Sequence, residues 1–272
     1  MTKKTIMAAA LLAAGIIALY GTYQFRQERL TPGRLKAVDL ARERVARAEQ
    51  AEQTAGEKKP EAAPKADIAT TDRRPEEPLS LNEVKETPDT FNVQFHTTAG
   101  DFVVNFKSEW SPLGVERVYK LVKTGYYDDC IFFRVVPGFV VQWGIASEPA
   151  KTMTWLENKL PAEKPKQSNA RGRVTFAMSP AGADTRSAQL FINLADNTFL
   201  DEMGFGPVGE VVKGMDVVEK LNPKYKEAPT GEQENIMKMG NAFLERQFPG
   251  LDRIVWAAVI EDKAPAAPAQ GK

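Results

Sequence analysis

The sequence predicts a mostly β fold with helices: a closed antiparallel barrel capped by helices, in residues 89–262 of a 272-residue chain. Three observations predict it. Phe91, Val93 and Phe95 alternate with polar neighbours, and Thr98-Ala99-Gly100-Asp101 turns that run into a second at Phe102, Val104 and Phe106, which makes an antiparallel hairpin. The stretch from Phe132 to Gln142 sets one arginine and one glutamine among apolar residues and breaks at Pro137-Gly138 into two short strands. Towards the far end, Ile254, Trp256, Ala258 and Ile260 alternate in a last strand. A domain of this size buries a sizeable core unaided.

Composition divides what precedes the barrel. Lys3 and Lys4 lead into an apolar run from Ile6 to Tyr20, which is a signal peptide or a short membrane anchor. The small residues that cleavage needs are missing at Ala18-Leu19-Tyr20 and Leu19-Tyr20-Gly21, so an uncleaved anchor over residues 1–25 is favoured over a cleaved signal with secretion. Counting Arg26, Arg29, Arg34 and Lys36 after the run favours a cytoplasmic domain, whereas the short basic start and Ala-rich core favour the outer, periplasmic side, which is the expectation adopted. Residues 26–53 read as a polar helical stalk with a thin stripe of Val38, Ala41, Val45 and Ala48. Residues 54–88, rich in Ala, Pro, Glu and Lys, bury too little to offset their ordering entropy and read as a disordered linker, as do residues 263–272.

Within the barrel the elements follow in order. Ser111 caps a helix with Pro112 in its first turn, and Val115, Val118, Tyr119 and Val122 form its buried stripe before Gly125 ends it. The long segment from Ile145 to Gly172 is either functional or an ordered insertion. Arg173 to Met178 returns to strand, and Ser179 to Ala188 forms a loop of small residues. Met215 to Leu221 reads as a short helix, and Glu232 to Phe248 as one longer helix with Ile236, Met239, Ala242 and Phe243 facing inward. His96, the only histidine, sits on a polar face without a second metal ligand and is read as structural or solvated.

The same reading excludes several functions. Cys130 is the only cysteine, so no intrachain disulfide forms, and no metal-ligand spacing or phosphate-cradling glycine loop appears. Lys plus Arg and Asp plus Glu both number 36, which gives no sign of nucleic-acid binding. What remains is the central hairpin. Alternation puts Val140 and Gln142 on one face of its second strand and Phe139 and Val141 on the other, with Arg134 coming from the first strand. Two polar tips then stand in an apolar wall.

Phe133-Arg134-Val135-Val136-Pro137-Gly138-Phe139-Val140-Val141-Gln142 closely resembles the signature segment of the cyclophilin-type peptidyl-prolyl isomerases. Ser187-Ala188-Gln189-Leu190-Phe191-Ile192-Asn193, followed by Asp196-Asn197-Thr198-Phe199-Leu200-Asp201, resembles a second hallmark, and Val208 to Val218 resembles the stretch after it. The resemblance implies catalysis of X–Pro rotation in unfolded or extended polypeptides, with no cofactor and no metal. It gives Arg134 the catalytic role. Phe139, Val140, Phe191, Leu200 and Phe205 stand at the proline-pocket positions, and Gln142 and Gln189 at those that orient Arg134 and hold substrate backbone. Ser179 lies along the substrate groove, and Phe199 stands where cyclosporin-sensitive members carry a tryptophan whose indole hydrogen-bonds the drug. Departures are Val140 for the usual methionine, Phe205 for histidine or tyrosine, and Pro180, which has no N–H to donate in the groove loop. These departures leave open an alternative, a membrane-tethered module or holdase that binds proline segments with little turnover. The expected unit is a monomer whose partners are proline-containing polypeptides and, through residues 1–25, the membrane.

Overall fold

The computed structural model describes residues 74–179 and 181–260, together with the single position Glu43. The expected anchor and stalk, most of the linker, the tail and Pro180 lie outside the described residues. β1 (Thr90–Thr97) and β2 (Gly100–Lys107) form the expected hairpin, in register at Phe91↔Phe106 and Phe95↔Phe102. Their inward rings stack, Phe95 on Phe102 at 4.8 Å, and begin a core that runs through the whole curled sheet.

The remaining strands are β3 (Arg134–Val136), β4 (Val140–Trp143), β5 (Arg173–Phe176), β6 (Leu190–Asn193), β7 (Pro207–Lys213) and β8 (Ile254–Ile260). Among the described residues they make one eight-stranded sheet in the order β3-β4-β6-β5-β7-β2-β1-β8, and each pairing is antiparallel. The expected barrel is thus a curled antiparallel sheet, and a bridge between Ile131 and Arg253 joins its two edges. Around it sit helices α1 (Pro112–Lys123), α2 (Pro149–Leu156), α3 (Phe199–Glu202), α4 (Met215–Glu219), α5 (Gln233–Met239) and α6 (Asn241–Gln247).

Helix α1 follows its stripe, burying Val115, Val118, Leu121 and Val122 against the sheet. Its N-terminus is satisfied differently from expectation. Ser111 holds the N-cap position without capping; its hydroxyl donates to Glu163, and the same carboxylate accepts the backbone N–H groups of Leu113 at 2.9 Å and Gly114 at 3.1 Å. A carboxylate at a helix N-terminus is favoured by the unpaired N–H groups there. The long segment carrying Glu163 is therefore an ordered insertion, anchored also by α2, whose Trp155 is buried against Tyr126.

Three expectations need correction. The helix drawn from Glu232 to Phe248 is two helices broken at Gly240, whose φ of +61° and ψ of −148° no ordinary side chain adopts. The break turns Ile236, Met237, Phe243 and Leu244 inward and leaves Met239 and Ala242 exposed. In β8 the pairing shifts between Thr97↔Ile254 and His96↔Trp256, so Val255 is an extra, outward residue. Ile254, Ala257 and Val259 consequently meet the main core, while Trp256 lies on the opposite face, stacked on His96 at 5.0 Å. His96 Nδ1 is 2.6 Å from the buried Asp101 carboxylate, which makes it structural as expected. Thirdly, the expected linker does not run to residue 88: Leu79 N–H donates to Lys123 O at 2.9 Å, and Arg74 donates to Val122 O at 3.0 Å and to the Asp128 carboxylate.

Candidate active site

The turn between β3 and β4 builds the site. Gly138 takes φ +68°, Phe139 N–H closes the turn onto Val136 O at 3.0 Å, and Arg134 falls opposite Gln142 in the ladder. Phe139 belongs to this turn and not to β4, so the two-residue period does not extend to it. It shares a cluster with Val140, contrary to the expected opposite faces, while Val141 goes to the main core. Leu194 N–H at 2.8 Å and the Asn197 amide at 2.9 Å both donate to Phe139 O, which fixes the ring's position.

Arg134 is 3% exposed and makes one end of a buried polar chain. Its Nη1 donates to Gln142 Oε1 at 3.0 Å, Gln142 Nε2 donates to Gln189 Oε1 at 2.9 Å, and Gln189 Nε2 donates to Gln233 Oε1 at 3.1 Å. Because a guanidinium has only donors, each amide after it must present oxygen towards Arg134 and nitrogen away. On its other side Nε and Nη2 donate to Glu227 Oε1 at 3.0 and 2.6 Å. The guanidinium carbon stands 5.3 Å from the centre of the Phe139 ring, within cation–π range.

Arg134, Phe139, Val140, Gln142, Phe191, Leu200 and Phe205 line one pocket, together with Ala177 and Met178, which the sequence reading did not single out. Phe191 and Phe205 meet edge to face at 5.8 Å. Phe199, half-buried, stacks on Phe139 at 6.2 Å from the pocket's edge. A buried asparagine holds the floor: Asn169 Nδ2 donates to Asp201 at 2.7 Å and Phe205 O at 2.9 Å, and its Oδ1 accepts from Thr175 at 2.8 Å. Gln189 reaches the pocket only through Gln142. Ser179 is not on the pocket wall; its N–H donates to Thr185 at 2.8 Å and its hydroxyl accepts from Ala181 N–H at 3.3 Å, within its own loop.

Glu227 and Gln233 were also missed. They lie beyond every quoted motif, and Glu227 is 93 residues from the arginine it meets. Elsewhere, burial pushes the Cys130 thiol well up, so it is no nucleophile. Among the described residues no cluster of three or more His, Cys, Asp or Glu is arranged to hold a metal ion. The arrangement offers an apolar cup with one buried cation on its wall.

Residues 92–241 match the family described as cyclophilin type peptidyl-prolyl cis-trans isomerase/CLD. Peptidyl-prolyl cis-trans isomerase A of Dickeya dadantii is 35% identical over 136 residues, covering 48% of this chain and 70% of that one. Peptidyl-prolyl cis-trans isomerase B of Escherichia coli is 35% identical over 139 residues, covering 47% of this chain and 82% of that one. Among solved structures, a cyclophilin type peptidyl-prolyl cis-trans isomerase of Cryptosporidium parvum has 18% identity and a TM-score of 0.48, covering 64% of this chain and 99% of that one.

Proposed function

The chain belongs to the cyclophilin-type peptidyl-prolyl cis-trans isomerases and is an enzyme of that type, and on that premise we propose that Arg134 lowers the rotational barrier while the pocket beside it takes the proline ring. The barrier about a peptide C–N bond is about 18–20 kcal/mol because the nitrogen lone pair is delocalised into the carbonyl. In the twisted state that lone pair localises and the nitrogen becomes basic. A fixed cation on the pocket's wall then stabilises the twisted state more than the planar one. No bond breaks.

The single observation that carries this reading is the position of Arg134 on the wall of the pocket formed by Phe139, Val140, Phe191, Leu200 and Phe205. Those ring and methyl surfaces suit a pyrrolidine, which has no N–H to satisfy. Arg134→Ala is expected to lower kcat and kcat/KM together by roughly 10²–10³-fold on a proline tetrapeptide. Near-native turnover in that variant, with the fold verified by circular dichroism, would refute the role. The variant should also lose stability, because Glu227, 6% exposed, would be left without its cation.

The substrates under this reading are proline-containing unfolded or extended polypeptides, taken by a monomer. Residues 1–25 hold the enzyme on the outer face of the membrane, a reading supported by Lys3, Lys4 and the apolar run from Ile6 to Tyr20. Protease added to intact spheroplasts should then remove the catalytic domain and leave the anchor. Protection of the domain would place it in the cytoplasm.

A further inference from the structure

We infer that Glu227 is a positioning residue for Arg134, an inference that rests on the catalytic role just proposed for that arginine. The geometry of the pair points to positioning. Arginine–carboxylate pairs frequently spread two parallel hydrogen bonds over both oxygens. Here Oε1 accepts from both Nε and Nη2, and Oε2, buried, has no hydrogen-bond partner. Burying a carboxylate with one oxygen unsatisfied is costly, and a buried ion pair is weak evidence for stability.

What the contact does fix is one edge of the guanidinium. Of its five N–H groups, Nε–H and one on Nη2 go to Glu227, and one on Nη1 goes to Gln142. One N–H on Nη1 and one on Nη2 remain for substrate. Clamped from two sides and seated over Phe139, the planar group has lost rotation about its last torsions, so its free edge is set before substrate arrives.

The chain bearing Glu227 is itself held in an unusual conformation. Lys226 is one of two described residues other than glycine with positive φ, at +45°, immediately before Glu227. Such strain persists only where the surroundings enforce it. Three turn hydrogen bonds bracket it here: Lys226 N–H to Pro223 O at 3.0 Å, Ala228 N–H to Tyr225 O at 2.9 Å, and Thr230 N–H to Glu227 O at 2.9 Å. The segment that follows supplies Gln233, which ends the amide chain begun at Arg134. One segment therefore reaches the arginine from both ends of its polar network.

The test is a kinetic cycle on the full chain with a proline tetrapeptide. Glu227→Ala is expected to lower kcat about tenfold or more with KM changed less than about twofold, since ground-state binding uses the pocket. Glu227→Gln, which keeps an oxygen acceptor and loses the charge, should recover part of that loss. In an Arg134→Ala background, Glu227→Ala should change the residual rate by less than about twofold, because its effect passes through the arginine. Unchanged kcat in Glu227→Ala, an equal loss in both backgrounds, or a change confined to KM overturns the inference. If Arg134→Ala itself retains turnover, the proposed role of the arginine fails instead, and the two failures are thereby distinct.

Discussion

Phe199 tests the pocket's edge one side chain at a time. It stacks on Phe139 with ring planes 19° apart, and it stands where the family resemblance puts the drug-binding tryptophan. Phenylalanine offers no donor, and a lost hydrogen bond in a desolvated contact costs about 1–3 kcal/mol, roughly tenfold or more in affinity. Cyclosporin should therefore inhibit isomerisation weakly, and Phe199→Trp should tighten it by about tenfold; an unchanged inhibition constant would show that another position sets the limit. At this scale the contiguous parts of the site were legible. Arg134, Val140 and Gln142 lie on one short stretch, and Phe191 and Leu200 on another, so order along the chain carried them. Phe139 was put on the wrong face because strand alternation was counted through a turn. Glu227 left no local signal, since nothing in Tyr225-Lys226-Glu227-Ala228 differs from a solvated loop until the fold brings it to Arg134.

At the scale of elements, the break between α5 and α6 is the clearest departure from the sequence pattern. A side chain at Gly240 would meet both the positive φ and the carbonyl oxygen of Ser147, which a Cβ there would overlap. Gly250 has the same sign of φ, at +87°, with nothing within 4 Å of a Cβ, and so serves as the reference for a positive-φ glycine without a clash. Gly250→Ala should cost about 1 kcal/mol in urea unfolding, and Gly240→Ala about 2 kcal/mol or more beyond that. Equal losses would show that neither Ser147 nor the ψ of −148° forces the glycine. Helical periodicity could not reveal this break, because Ile236 and Phe243 stay seven residues apart whether or not the axis bends between them. Similar reasons hid the bulge at Val255, which depends on the partner strand, and the capping of α1 by Glu163, fifty residues away. Elements set by local pattern were legible: the β1–β2 hairpin, the stripe of α1 and the Pro-Gly turn.

For the molecule as a whole, the open matter is where the folded unit begins. Composition alone marks residues 54–88 as one segment, but Arg74, Glu76 and Leu79 make contacts with the domain. Arg74 and Leu79 satisfy the carbonyls of Val122 and Lys123 at the end of α1, and Lys123 pairs with Glu76 at 2.7 Å. Arg74 also meets Asp128, whose other oxygen accepts Ala257 N–H from β8 at 3.1 Å. The arm thus ties the end of one helix to an edge strand. A chain starting at residue 74 should be more stable than one starting at residue 89 by about 1–3 kcal/mol near neutral pH, read by urea unfolding. The pH dependence has a definite sign. Burial raises the Asp128 pKa above its ordinary value and Arg74 opposes that rise, so where removing the arm takes away the cation and leaves the carboxyl buried, the pKa climbs further. A carboxyl whose folded pKa is raised costs nothing below its unfolded pKa of about 4, where it is protonated in both states. The cost appears as pH rises through the interval between the unfolded and folded values and is complete above it. The stability difference between the two chains should therefore be largest at neutral pH and shrink as pH falls towards 4. A difference that stayed constant on acidification would mean that the arm acts through its carbonyl contacts without relieving Asp128, and one that grew would mean that the arm buries that carboxyl more than Arg74 compensates it.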